Sequence, residues 1–178
     1  MGAVRIICNG GFTMANDHQP DDPQVSLRWI ALLRILLGVL FITTWYSNFS
    51  KGFYTPQGLV VFFTQVFPQS DNPLAWYALF IDNVILPIRA GFAPFQLIAE
   101  FLLGLFLLTG LLTPLTSLLA GFFILNTFLA TFGHDWPWSY ALVLGILFVV
   151  LFTRAGRTLG VDGWLEKRFG SPPIPYLW

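Results

Sequence analysis

Glu100 is the residue with the clearest chemical potential, because its carboxyl group lies inside an apolar stretch that runs from Pro94 to Leu112. A stretch of this length is about sufficient to cross a bilayer, where a charged side chain is disfavoured by roughly 2.5 to 3.5 kcal/mol. The surrounding leucine and phenylalanine residues each favour membrane insertion by about 0.3 to 0.6 kcal/mol, so the segment still inserts. Glu100 therefore needs a partner, a proton or a wet cavity.

Two other polar residues are candidates for the same site. Gln96 lies one helical turn before Glu100, and Gly104 one turn after it, so the three form a single stripe. Arg34 lies in an earlier apolar run, and two extended side chains could bridge the axial gap of about 10 Å to Glu100 directly or through a water. We therefore consider a buried pair of Arg34 and Glu100, which we assign as the catalytic candidates.

The alternative is that neither residue takes part in chemistry. Arg34 would then extend to the lipid headgroups, and Glu100 would be a protonated or hydrogen-bonded residue that fixes the register of the helices. In the functional interpretation, Glu100 is a proton-handling or quinone-contacting carboxyl beside a cavity, since intramembrane acids usually face an interior pathway. Position along the sequence does not separate these alternatives.

A second polar group surrounds His134 and Asp135, which are followed closely by Trp136 and Trp138. A histidine in a loop is usually solvated, but this one adjoins aromatic side chains that could flank a quinone ring. We assign His134, Trp138 and Gln96 as candidate cofactor-binding residues, and a quinone as the candidate cofactor.

The composition is that of an integral membrane protein. Of 178 residues, 56% are hydrophobic and 10% are charged, against about 25% charged in an ordinary soluble domain. The formal charge is zero and no lysine or arginine cluster is present, so nucleic-acid binding is not expected. The single cysteine, Cys8, excludes an internal disulfide or a multi-cysteine metal site within this chain, and no histidine pair is placed to ligate haem. We therefore predict neither metal nor haem.

Hydropathy predicts an all-α fold, an integral membrane four-helix bundle. The predicted spans have the length and composition of membrane helices, and a proline near the start of three of them lies in a first turn, where the missing N–H costs nothing. The second and third spans should form a tight antiparallel hairpin. The spans are Leu27 to Phe49, Ala93 to Leu112, Pro114 to Phe132 and Pro137 to Thr153.

Three regions follow along the chain: a polar N-terminal tail (1–26), a membrane domain (27–169) and a C-terminal tail (170–178). Met14 would serve as well as Met1 as the first residue. The long connection after the first span predicts one or two short interfacial helices. The first has apolar residues at helical spacing from Leu59 to Phe67, and the second runs from Leu74 to Ile85.

The distribution of cations predicts the orientation in the cell membrane, with both termini cytoplasmic. The side that holds the termini carries Arg5, Arg28, Arg154, Arg157, Lys167 and Arg168, and the other side carries Lys51 and Arg89. Aromatic residues would line the outer boundary as an interfacial belt. That belt comprises Trp45, Tyr46, Tyr54, Trp76, Tyr77, Trp136, Trp138 and Tyr140.

The chain resembles the DoxX/DoxD family of small four-helix membrane proteins over roughly Leu27 to Lys167. The likeness is carried by four stretches: LLRILLGVLF with Arg34, IAEFLLGLFLLTGLLTPL with Glu100 and Gly110, GHDWPWSYALVLGIL, and RAGRTLGVD. The family often has a lysine soon after the small-residue motif of its first helix, whereas here Lys51 arrives later. The namesake is the small subunit of a thiosulfate:quinone oxidoreductase, so the resemblance implies a membrane redox system linked to quinone.

Two functions are therefore expected. The first is a quinone-linked redox subunit without its own metal or haem, which would work with other membrane subunits. The second is a non-catalytic accessory subunit that packs against a larger membrane electron-transfer complex through aromatic surfaces.

The RAGRTLGVD motif also has a purely structural interpretation, in which Arg154 and Arg157 meet lipid headgroups and Asp162 caps a short amphipathic helix from Gly163 to Phe169.

Overall fold

The computed structural model describes residues 26–170, and within this range the regular structure is entirely helical. The predicted tails lie outside the described residues, apart from Ser26 and Gly170. The described part contains seven α-helices, which are α1 (Leu27–Ser50), α2 (Pro56–Val61), α3 (Ala75–Phe80), α4 (Arg89–Thr109), α5 (Thr113–Ala130), α6 (Pro137–Thr153) and α7 (Val161–Phe169).

Three of these helices, α1, α4 and α5, are long and apolar enough to cross a membrane. Helix α6 is equally apolar but has only 17 residues. Large hydrophobic side chains point outward from all four helices, which a soluble monomer would rarely tolerate over so large an area. Examples are Leu36, Phe122, Leu142 and Phe148, each more than 60% exposed. The prediction of a membrane protein is confirmed.

These four helices pack together, with α1 against α4 and α6, and α5 against α4 and α6. Their shared core contains Leu37, Phe41, Leu103, Leu107, Leu147 and Val150. Helices α1 and α4 approach each other closely at Gly38, where an added Cβ would lie 2.6 Å from the Cα of Leu108. Gly38 is therefore a contact point that lets the two helices touch through their backbones.

The start of α4 differs from the prediction. The helix begins at Arg89 rather than at Ala93, so Pro94 lies inside it and not in its first turn. Proline removes the hydrogen bond to the carbonyl four residues earlier, which belongs to the exposed residue Ala90. An exposed carbonyl near a helix end can be solvated, which explains why the chain accepts the proline there.

The connection between α1 and α4 folds over one end of the helix bundle, and both predicted short helices are present. Helix α2 continues into a π-helical turn at Phe62–Val66, and α3 into another at Ile81–Ile85. Their apolar faces bury Leu59, Phe63, Tyr77 and Ile81 together with Ala93 and Ala130 of the long helices. We call this the Glu100 end of the bundle.

Two buried polar residues fasten this connection to the end of α5. The Gln69 side-chain amide donates to the carbonyl of Ala130 at 3.0 Å, and the Asn72 amide donates to those of Leu129 and Ala130 at 3.0 and 3.3 Å. The last carbonyls of a helix have no partner within the helix. These amides supply one, so the overlying segment also caps α5.

The opposite end of the bundle, which we call the Arg34 end, holds the tight turn between α4 and α5 and the short helix α7. Gly110 ends α4 in the left-handed conformation with φ of 69°, and the N–H groups of Gly110 and Leu111 both donate to Phe106. The predicted hairpin is present. Because α4 and α5 are joined by so few residues, their ends lie at the same level.

Candidate functional site

Glu100 is buried, with 2% of its surface exposed, and its carboxylate has two polar neighbours. The hydroxyl of Tyr54 donates to Glu100 Oε2 at 2.7 Å. The Asn48 side chain lies close to both Glu100 and Tyr54. We call these three residues the Glu100 cluster. Glu100 was expected from the sequence to need a partner, and that partner is the Tyr54 phenol rather than a cation.

Tyr54 reaches Glu100 because the chain reverses direction directly after α1. Gly52 adopts a φ of 71°, which favours glycine, and the reversal carries Phe53 and Tyr54 back onto the bundle. The Tyr54 ring is 8% exposed, so it is not the exposed belt residue that the sequence predicted. Burial and the adjacent Glu100 raise the pKa of the Tyr54 phenol well above its usual range, so the hydroxyl remains a donor.

An open groove of about 700 Å³ lies beside this cluster. Aromatic rings form much of its wall, and Asn48 connects the groove to Glu100. The Phe53 and Phe62 rings meet edge to face at 4.7 Å, and Phe62 also contacts Phe67 at 4.9 Å. The lining residues are Asn48, Lys51, Gly52, Phe53, Thr55, Gln57, Gly58, Val61, Phe62, Val66 and Phe67.

The three predicted cofactor-binding residues do not line this groove. Gln96 is half-buried on α4, one turn from Glu100. His134 is exposed, with Nε2 3.2 Å from the Pro68 carbonyl oxygen, and its ring lies 6.0 Å from that of Phe67 at the edge of the groove. Trp138 is 67% exposed near the start of α6. His134 is therefore a neighbour of the groove, and Trp138 faces outward.

Arg34 does not pair with Glu100, because the two side chains are held at opposite ends of the bundle. Arg34 Nη2 donates to the carbonyl of Leu159 at 2.7 Å, and the guanidinium lies against Gly110. Gly110 is ten residues beyond Glu100, which corresponds to about 15 Å along a helix. Arg34 does not reach the surface either, since its side chain is 0% exposed.

Two glycines enclose the Arg34 guanidinium. A Cβ on Gly110 would collide with Nη1, and a Cβ on Gly160 would lie 2.5 Å from the same nitrogen. Arg34 Nε and Nη1 have no hydrogen-bond partner among the described residues. The cluster joins α1 to the α4–α5 turn and to the segment after α6, so Arg34 connects three parts of the chain.

Asp162 completes this second cluster and has a different role from the one predicted. Its carboxylate accepts from the backbone N–H groups of Leu112 at 2.6 Å and Thr113 at 2.8 Å, so it caps α5 rather than α7. Its own N–H donates to the Gly110 carbonyl at 2.9 Å. Burial raises the pKa of Asp162, and the bonds from Thr113 and Leu112 and the charge of Arg34 oppose that rise.

Backbone strain is concentrated around the Arg34–Asp162 cluster. Among the described non-glycine residues, positive φ angles occur at Leu112 (48°), Arg154 (48°) and Leu159 (55°). Left-handed conformations cost of order 1 to 3 kcal/mol in side-chain-bearing residues and persist only where surrounding contacts hold them. Here the Asp162 carboxylate holds Leu112, and Arg34 holds the carbonyl of Leu159.

The two clusters differ in what they can do. The Arg34–Asp162 cluster is enclosed by backbone, so we assign it a structural role. The Glu100 cluster can hold a proton between a carboxylate and a phenol, and it borders a groove that a flat aromatic ring could enter. Across residues 26–170, no group of three histidine, cysteine or acidic residues is placed to hold a metal ion.

The residues of the Glu100 cluster were only partly predicted. Glu100 stands out because it is a lone acid in an apolar run, whereas Asn48 and Tyr54 belong to a polar, aromatic stretch with many equivalent candidates. The turn at Gly52 was the available signal, since it directs Tyr54 back toward the helices. Comparison with known protein families, curated proteins and solved structures gives no match.

Proposed function

We propose that this protein is a quinone-linked redox subunit of the cell membrane, without its own metal or haem. The proposal rests on the position of Asn48, which lies next to the buried Glu100 carboxylate and also lines the aromatic groove. The Tyr54–Glu100 pair, which can hold a proton, is therefore adjacent to a groove that could hold a quinone ring.

The shape and the lining residues of the groove support a quinone as its ligand. The edge-to-face phenylalanines offer apolar faces to a planar ring, and Asn48 and Lys51 offer N–H donors to its carbonyl oxygens. The groove is open rather than enclosed and lies at the end of apolar helices. A lipid-soluble ligand would therefore reach it from the bilayer.

The residues of the chain supply proton handling. When bound, a quinone would accept two electrons and two protons in its reduction to quinol. Tyr54 donates to Glu100 at 2.7 Å, which is the short bond expected of a hydroxyl and a carboxylate. Glu100 is then the group that can hold a proton close to the groove, with Tyr54 orienting its Oε2 oxygen. Electrons would come from another membrane subunit.

We also propose a membrane topology with four spans. Helices α1, α4 and α5 cross the bilayer, and we propose that α6 is the fourth span, because it packs along α1 and α5 and exposes Leu142, Phe148 and Phe152. With four spans, both termini lie on one side, which the distribution of cations assigns to the cytoplasm. The groove then opens on the opposite side.

Photolabelling with an azido-quinone tests the site directly. The protein is reconstituted in lipid nanodiscs, labelled with and without excess unlabelled quinone, and digested for mass spectrometry. We expect competed labelling in the peptides that contain Phe53, Phe62 and Phe67. Val61→Trp, which fills the groove, should abolish it. Val84→Trp is the matched control, because Val84 is similarly exposed on the other short helical segment and does not line the groove.

Labelling that excess quinone does not compete, or that persists equally in Val61→Trp and Val84→Trp, would refute the quinone site. The redox role is tested separately in native membranes. Glu100→Gln should lower quinone reduction while the protein still assembles. Unchanged turnover would exclude Glu100 from the proton path.

The accessory function is the second candidate, and exposed aromatics at the Glu100 end favour it. Trp76, Trp136 and Trp138 are each more than 60% exposed, and tryptophan is enriched at protein interfaces as well as at membrane boundaries. Extraction in mild detergent distinguishes a protein interface from a membrane boundary as the reason that these tryptophans are exposed. An accessory subunit elutes with a stoichiometric partner that Trp76→Ser or Trp138→Ser releases, whereas a chain that always elutes alone excludes this function.

A further inference from the structure

Helix α7 is held rigidly at the Arg34 end of the bundle. Asp162 in its first turn bonds to the backbone on both sides of the α4–α5 turn, through the carbonyl of Gly110 and the N–H groups of Leu112 and Thr113. A Cβ on Gly163 would collide with the carbonyl of Arg157, so the first turn also packs closely against the segment that precedes the helix. The helix is therefore fixed at the level where α4 ends and α5 begins.

That level is a membrane boundary, because α4 and α5 are both long enough to span. An amphipathic helix at a boundary is expected to present aromatic residues and cations to the headgroups. Trp164 and Phe169 are 60% and 64% exposed, and their rings meet edge to face at 6.2 Å. Lys167 and Arg168 follow Trp164 by three and four residues, so all three share one exposed face.

The acidic residues of α7 do not neutralise this face. The Asp162 carboxylate is buried on the backbone N–H groups of the α4–α5 turn. Glu166 forms an ion pair of 3.0 Å with Arg157. Arg157 was predicted to meet the lipid headgroups, but its guanidinium is directed to this partner within the protein. The cations presented at the surface of α7 are instead Lys167 and Arg168.

We propose that α7 is a docking surface for anionic phospholipid headgroups, with Trp164 and Phe169 seated at the interface and Lys167 and Arg168 facing lipid phosphates. The complementarity of charge selects the occupant: two cations beside two interfacial aromatic rings fit an anionic bilayer surface. The rigid attachment through Asp162 orients the face before lipid binds, so ordering costs are small. This surface is independent of the groove at the other end.

Native mass spectrometry of the whole protein tests the proposal. The detergent-solubilised protein is mixed with equal amounts of phosphatidylglycerol and phosphatidylcholine of identical chains, and the retained lipids are counted. We expect phosphatidylglycerol to be preferred by on the order of tenfold. Lys167→Gln/Arg168→Gln should remove most of this preference, and added salt should weaken it. The charge-retaining Lys167→Arg/Arg168→Lys should keep it.

Arg89→Gln is the control, since it removes a cation from the opposite end, outside the groove, and should leave the preference unchanged. Circular dichroism and thermal unfolding verify that every variant is folded. Equal retention of the two lipids by the unmodified protein would overturn the proposal. A preference that survives in Lys167→Gln/Arg168→Gln would overturn it too, because the anionic lipid would then be held elsewhere.

Discussion

The Tyr54 hydroxyl and the Glu100 carboxylate are joined by a hydrogen bond of 2.7 Å between residues 46 positions apart in the sequence. This bond connects the segment that covers the bundle to the interior of α4. It also explains how an acid is accommodated in an apolar helix without a cation beside it. The donor comes from the turn that follows α1, outside the three helices that are long enough to span a membrane.

Removing the Tyr54 hydroxyl should therefore be costly. Tyr54→Phe leaves a buried carboxylate without its donor, and we expect a loss of about 1 to 3 kcal/mol in the free energy of unfolding. Glu100→Gln should cost less, because the amide oxygen still accepts from Tyr54. Thermal or denaturant unfolding in detergent measures both variants. The double variant should show a coupling energy of about 0.5 to 3 kcal/mol.

Tyr46→Phe is the control for this experiment, since Tyr46 lies on the same part of the chain and is 65% exposed. It should leave the free energy of unfolding within about 0.5 kcal/mol of the original. Additive effects of Tyr54→Phe and Glu100→Gln would show that the two groups do not interact in the folded protein.

The Arg34–Asp162 cluster predicts a strict requirement for glycine at position 110. Gly110→Ala places a Cβ against the Arg34 guanidinium and requires a side chain at a φ of 69°. We expect a loss of about 2 to 4 kcal/mol in stability. Gly121→Ala is the comparison, because a Cβ at that helical glycine has no atom within 4 Å. It should be neutral or stabilising by about 0.5 to 1 kcal/mol. Similar unfolding of the two variants would contradict this account.

Much of the fold was predictable from the sequence. Apolar length identified α1, α4 and α5, and helical spacing from Leu59 to Phe67 identified the first short helix. The predicted start of α4 at Ala93 was wrong because a proline such as Pro94 is typical of a first turn. Proline can also lie further inside a helix, where the carbonyl that loses its hydrogen bond belongs to an exposed residue. Helix ends depend on caps supplied by other segments, such as Gln69 and Asn72 for α5.

The candidate site was less predictable for a related reason. Burial of Glu100 follows from its apolar neighbours, but its partner is chosen by the turn at Gly52, which no periodicity encodes. Arg34 was paired with Glu100 on axial distance alone. Such a distance does not show which direction a long side chain takes, and Arg34 turns toward the carbonyl of Leu159 and two glycines that leave it space.

Two buried phenols predict how stability changes in alkaline solution. Burial raises the pKa of Tyr77 to about 12, and burial together with Glu100 raises that of Tyr54 as well. In the unfolded chain both phenols titrate near pH 10, so the unfolded state loses protons first. The stability present below about pH 10 should therefore be lost progressively as the pH rises toward about 12.

Unfolding measured from about pH 8 to about pH 12 tests this dependence. Tyr77→Phe removes one titrating group and should flatten the alkaline decline, at the cost of the hydrogen bond that the Tyr77 hydroxyl donates to the Asn126 side-chain oxygen Oδ1 at 2.9 Å. Trp76→Phe is the control, because it alters a neighbouring ring without a titrating group. A slope that is identical with and without Tyr77 would show that the phenol ionises equally in both states.

Asp162 should be among the most sensitive positions at the Arg34 end. Asp162→Asn keeps one acceptor oxygen but turns an N–H donor toward one of the two backbone N–H groups, and it removes the negative charge near buried Arg34. We expect a loss of about 3 to 5 kcal/mol, the range for breaking a buried charged network. Asp82→Asn, at an exposed position outside the bundle core, should change stability by less than about 0.5 kcal/mol. Because Asp162 also anchors α7, Asp162→Asn should expose the Val161–Phe169 helix to proteolysis before the bundle unfolds, whereas simultaneous loss of both would show that α7 and the long helices form one cooperative unit.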